Sequence, residues 1–122
     1  MADTLAIEET DRLIASDKVE GTKVYDPQGK KLGSVMNFMV DKQSGKAEYA
    51  VLEFGGILGI GNEYYPIPWQ MLDYDPGRGG YVVDITKEKL ENAPHYRERD
   101  RLFDHAYGQT IFGYYGIGYP YL

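Results

Sequence analysis

Hydrophobic and polar positions along this chain change period often, and each change falls at a turn-forming residue. A first extended piece is predicted over Leu13-Ile-Ala-Ser-Asp17, with Val19 before a turn at Glu20-Gly21. Lys23-Val-Tyr25 reads as a short strand that ends at Asp26-Pro-Gln-Gly29. There Asp opens a turn, Pro pre-sets φ and Gly closes it. Lys31 to Asp41 is the longest strand candidate. Leu32, Val35, Phe38 and Val40 cannot share one face at period two, so a bulge is expected at Gly33. A hairpin loop over Lys42–Lys46 leads to Ala47–Phe54, whose nearly continuous apolar run suits a central strand in a small closed sheet.

The next stretch, Phe54 to Leu72, organises the rest. Gly55, Gly56, Gly59 and Gly61 permit backbone angles that residues with a Cβ resist, and Ile57, Leu58 and Ile60 lie between them, so this loop carries apolar side chains that want cover. Pro66 and Pro68 flank Ile67 and lack an N–H, so the segment is an edge strand or a bulged one. Trp69, the only tryptophan, is read as a plug of the interior. Tyr64, Tyr65 and Tyr74 are left open between core and recognition surface. After the turn Asp75-Pro-Gly-Arg-Gly-Gly80 comes a strand, Tyr81–Ile85, and a helix over Lys87–Ala93 with Thr86 as N-cap, ended by Pro94. Short strands spaced by turns, followed by one short helix, predict an all-β fold, a small barrel or sandwich.

Three regions follow: a polar lead-in over 1–12, a β domain over 13–96 and an extension over 97–122. In the extension Leu102, Phe103, Ala106 and Tyr107 fall on one helical face, with Gly108 read as its C′ residue. The last ten residues, Gly113 to Leu122, hold four tyrosines and no charge, too apolar for an ordinary disordered tail. A small barrel offers little spare apolar surface, so this tail is read as docking on a second subunit or partner. Folding back on its own barrel is the alternative.

Composition narrows the function. The 122 residues carry a formal charge of −6, which repels phosphate and disfavours nucleic acid or an anionic membrane as partner. With no cysteine there is no disulfide framework, thiolate metal site or Cys nucleophile. The acidic N-terminal stretch lacks the basic and apolar regions of a signal peptide, and no window reaches bilayer-spanning length. A cytoplasmic location without membrane insertion is expected.

Candidate chemistry is thin. The glycine loop lacks the spacing of a phosphate cradle and a helix behind it. His95 and His105 stand ten apart, and Glu98 or Asp104 would have to complete any metal set, so they are read as packing or surface residues. Ser16, Ser34 and Ser44 sit outside any nucleophile elbow, and no residue is assigned as catalytic, metal-binding or cofactor-binding.

Several segments together are similar to the PRC-barrel family. They are Lys23–Val35, the strand end Val40-Asp41, Glu48–Gly56, Tyr65-Pro-Ile-Pro-Trp-Gln-Met-Leu72 and the helix ending at Ala93-Pro94, across roughly 13–96. The resemblance implies a PRC-type β-barrel with structural roles for Gly29, Gly33, Asp41, Pro68 and Trp69. It also implies a protein-binding or assembly module with no shared catalytic activity, like the cytoplasmic barrel of the photosynthetic reaction-centre H subunit. The chain departs from that subunit by lacking a transmembrane helix, and from a ribosome-maturation factor with the same barrel by lacking a domain before it. The expected function is therefore a non-enzymatic interaction module, a homo-oligomer with an unidentified protein partner. Its contacts would come from Ile57, Leu58, Ile60, Tyr64, Tyr65, Phe103, Tyr107, Phe112, Tyr114, Tyr115, Tyr119 and Tyr121. The alternatives are an apolar-ligand barrel and a ribosome- or RNA-associated factor.

Overall fold

The computed structural model describes residues 13–54, 63–97 and 101–121. Its elements in chain order are α1 (Ser16–Val19), β1 (Lys23–Tyr25), β2 (Lys31–Val40), β3 (Ala47–Phe54), β4 (Glu63–Pro68), a 3-10 turn (Trp69–Met71), β5 (Leu72–Asp75), β6 (Gly80–Val83), α2 (Lys87–Glu91) and α3 (His105–Tyr114). The predicted extended piece at 13–17 is corrected to the one-turn helix α1. Asp17 in its first turn and Lys18 in its last suit the helix dipole, and the turn buries Val19 while Ile14 packs on the same core.

Local chemistry fixes the hairpins. Asp26 Oδ1 accepts the Gln28 and Lys30 amides, each at 2.9 Å, and Gly29 turns the chain at φ 91°, where a Cβ would be strained. Asp41 does the same at the β2–β3 turn, accepting from the Gln43 and Ser44 amides at 2.8 Å. These amides, Ser44 first and then Gln43, hold its carboxyl below the usual range. Thr86 Oγ1 accepts the Lys89 amide at 3.0 Å and caps α2, whose Leu90 is fully buried.

In β2 the extra residue opposite β1 is Leu32, next to the expected Gly33, and a second one, Met36, lies opposite β3. The register resets at each, so Leu32, Val35 and Phe38, three apart, all meet one core, while Val40 stays exposed at the strand end.

The strands form one six-stranded sheet in the order β4-β3-β2-β1-β6-β5, antiparallel except for the β1–β6 pair. Residues of all six strands, among them Val24, Val35, Leu52, Ile67, Leu72 and Val83, meet in a single cluster. The sheet is therefore curled around its concave face. Among the described residues no ladder joins β4 to β5, so the closed sheet expected from sequence is instead a curled half-barrel. Prolines account for the opening. Tyr64 exchanges backbone hydrogen bonds with Tyr96 on the side away from β3, at 2.9 and 3.0 Å. Pro66 and Pro68 share its orientation at period two, so the donors needed for closure are missing where β4 would need them. Between them, Tyr96 and the two prolines protect this edge.

Asp104 caps α3 by accepting the Tyr107 amide at 2.9 Å. The helix does not stop at Gly108 as the sequence suggested; it runs on to Tyr114. Its end is built by Gly116, at φ 72°, which donates to Gly113 O, while the Ile117 amide reaches Phe112 O at 2.9 Å. This pair of bonds is a Schellman motif.

Candidate interaction surface

Strand alternation gives β3 two buried faces. Ala50 and Leu52 enter the concave core; Tyr49 and Val51 point to the convex side. On that side they join Tyr64 of β4, Tyr96, and Tyr107, Ile111 and Phe112 of α3 in a second cluster. The nearly continuous apolar run of β3 is thus explained, with α3 of the same chain as cover.

The second cluster is built of rings. Tyr49 meets Phe103 edge-on at 5.1 Å and Phe112 at 5.6 Å, and Phe112 meets Tyr119 at 5.4 Å. Gly108 lets the rings close over the helix. A Cβ there would stand 2.7 Å from Tyr49 Oη and closer still to the Tyr119 ring. Polar contacts hold the rim. Tyr119 Oη lies 2.9 Å from His105 Nδ1, and Tyr121 Oη donates to the Glu48 carboxylate. Tyr114 Oη donates to Lys89 O at 2.6 Å while Lys89 Nζ sits 4.3 Å over the Tyr114 ring. The Arg101 guanidinium lies 4.0 Å over the Tyr107 ring.

Burial and neighbouring acidic groups raise several of the phenols in and around this cluster. Burial first, then the neighbouring Tyr107 and Tyr64, pushes Tyr96 up to about 12. Tyr49 and Tyr115 are raised mainly by burial. Tyr121 goes up to about 12, mainly because it donates to Glu48.

The predicted contact residues are divided by this geometry. Ile57, Leu58 and Ile60 lie outside the described residues. Tyr64, Tyr107 and Phe112 are buried between sheet and helix, so they are internal rather than an open recognition surface. Tyr65 is also buried, but on the concave side, because it sits one position from Tyr64 along β4. Phe103, Tyr115 and Tyr119 are partly buried against the second cluster, Tyr114 and Tyr115 against the first. Tyr121, 47% exposed, is the open end of the array. Trp69 is half-buried and not a plug. It occupies the corner between β4 and β5, packed against the rings of Phe38 at 5.8 Å and Tyr81 at 5.7 Å, while Leu52, Ile67 and Leu90 fill the interior. Pro68 and Gly33 are buried in the sheet. Sequence reasoning passed over Tyr49 and Tyr96 and gave Gly108 a different place, at the end of the helix rather than under Tyr49 and Tyr119. The signal for Tyr49 was the unbroken apolar run of β3; nothing local marks Tyr96.

One polar constellation merits a chemical test. Glu63 accepts from Tyr65 Oη at 3.0 Å and from Arg97 at 3.2 Å, and His95 Nε2 lies 3.5 Å from the same carboxylate. The Tyr65 hydroxyl bond is the largest cause of its lowered pKa, and Arg97 and His95 act in the same direction. His95 Nδ1 faces the Ala93 carbonyl at 2.9 Å and so donates to it. Both carboxylate oxygens and both ring nitrogens have partners within the chain. The group fastens the segment after α2 to the β4 edge.

The family model of the PRC-barrel domain matches residues 11–90. The chain belongs to the PRC-barrel family. The PRC-barrel match includes every strand of the sheet and stops within α2, so Tyr96 and α3, which complete the convex cluster, lie beyond it. No curated protein matches the chain. No helix among the described residues is long and apolar enough to cross a membrane.

Proposed function

We propose that this PRC-barrel protein is a non-enzymatic assembly module, cytoplasmic in setting, that self-associates through the convex face of the half-barrel and its aromatic extension. The observation that carries this reading is the convex cluster itself. The sheet already has a complete aliphatic core on its concave side, yet it presents a second apolar face matched to a tyrosine-rich segment. Large aromatic side chains with polar tips are suited to surfaces that must tolerate both water and a partner. The absence of cysteine fits a reducing compartment.

Sedimentation equilibrium of the full chain over a wide concentration range tests the reading. A mass that rises above 13.8 kDa with concentration supports it. A monomer at every concentration contradicts self-association.

A further inference from the structure

The segment over 101–121 is attached in a way that lets it leave one sheet for another. Its helix has ten residues, with Gly108 and Gly113 inside it. Isolated helices below ~12–15 residues are marginal even with good helix formers, and glycine is a poor one. The helix therefore exists because Tyr107, Ile111 and Phe112 are seated on the sheet; undocked, the segment is an open chain. No ladder ties it to the β domain among the described residues. What holds it are ring contacts, Tyr121 on Glu48 and Tyr114 on Lys89, and each is the same whichever copy supplies the segment.

The connector allows the transfer. Residues 98–104 can span roughly 25 Å when extended, and Arg97-Glu-Arg-Asp-Arg101 is densely charged and suited to water. Arg101 to Asp104 carries neither helix nor strand. Within it, Leu102 is 73% exposed although its neighbour Phe103 packs on the convex cluster. A leucine left in water beside a seated aromatic points to cover that the described residues of the single chain do not provide. When two chains trade identical segments, their connectors cross near the two-fold axis, and each Leu102 then meets its counterpart.

Building on the self-association reading, we propose that two copies of this chain exchange residues 101–121, each α3 covering the other copy's β3–β4 face, with Leu102 against Leu102 at the crossing. The occupant of the convex face is then the same segment in the closed monomer and in the dimer. Protein concentration and the connector set the balance between the two.

The cysteine-free chain permits a direct test. The full chain carrying Glu48→Cys and Tyr121→Cys is separated into monomer and dimer fractions, treated with a short bismaleimide and run on a denaturing gel. Exchange predicts a covalent dimer from the dimer fraction and a single-chain product from the monomer fraction. A dimer fraction whose cross-link stays within one chain overturns exchange and leaves self-association standing. Absence of any dimer fraction in this variant and in the unmodified chain overturns both. Leu102→Glu, made in the otherwise unaltered chain, keeps the Tyr121–Glu48 contact intact. It is expected to raise the dimer dissociation constant about tenfold or more, since it places two like charges at the crossing, with the monomer's circular dichroism unchanged. An unaltered dissociation constant counts against the crossing of the connectors.

Discussion

Ala50 and Leu52 look into the curl of the sheet; Tyr49 and Val51, alternating with them in β3, look out. The concave cluster is mostly aliphatic, filled by Val24, Val35, Leu52, Ile67, Val83 and Leu90 with little polar material. The convex cluster is mostly aromatic, and at its rim the Tyr119 and Tyr121 hydroxyls are hydrogen-bonded. Aliphatic side chains fill volume with no polar group to satisfy, so the concave side makes the half-barrel a single packed unit. Aromatic side chains bring area together with a polar tip, so the convex side combines ring packing with hydrogen bonds at its rim. The first face holds the six strands together; the second seats α3 on the sheet.

Substitutions should separate the two faces by magnitude and by what unfolds. Leu52→Ala is expected to have the largest effect, a loss of ~3–4 kcal/mol typical of a fully buried leucine, read as a lower urea midpoint for the whole protein. A loss below ~1 kcal/mol would contradict the concave core. Trp69→Ala should cost about 2 kcal/mol, below the ~3–5 kcal/mol of a fully enclosed large aromatic, because the residue is only partly buried at the β4–β5 corner. A loss at the upper end of that range would restore it as a plug.

Gly108→Ala weighs two opposed effects. Replacing a helical glycine stabilises by roughly 1 kcal/mol, whereas forcing a methyl against Tyr49 and Tyr119 costs ~1–3 kcal/mol. The clash should win by about 1 kcal/mol, since Tyr49 is itself held in the cluster. The expected result is a tail that loses the Tyr119–His105 contact while the sheet stays folded. Greater stability of α3 in the variant would show that the seat on Gly108 is not tight. The smallest effect near neutral pH comes from the phenols. Tyr65 and Tyr96 titrate at about 12 in the folded chain against 10.0 ordinarily, so the folded state holds their protons more firmly than the unfolded state. Their contribution is complete below pH 10 and is lost as pH rises through about 12. Stability should therefore fall over that interval, and Tyr96→Phe should reduce the slope. A flat profile between pH 10 and 12 would contradict the burial of these rings.

How much of this was legible in the sequence depended on how local the cause was. The turns at Asp26–Gly29 and Asp41–Lys46, the Thr86 cap and the edge position of the strand with Pro66 and Pro68 are set by chemistry within a few residues, and each stands where the sequence put it. The open side of the half-barrel also follows from Pro66 and Pro68, but only once Tyr64 shows which way their missing donors would point. Gly108 read as a helix end because glycine is usual there. Its actual place inside α3 is fixed by Tyr49, far away in sequence, and by Tyr119. The apolar run of β3 announced two covered faces without saying what covers the second. Nothing in the tyrosines of the extension distinguishes their own sheet from a copy's, since the contacts are the same.

Amide hydrogen exchange of the full chain under native conditions tests most directly the central claim, that α3 is a seated but separately opening cover. Clear protection of the α3 amides between Gly108 and Tyr114 is expected, lower than that of Val51 and Leu52 in β3, with the two regions opening independently. Exchange of α3 at the rate of an unstructured peptide would contradict the seat on the convex face. Protection equal to that of β3, lost in one concerted step, would contradict a cover that can leave it.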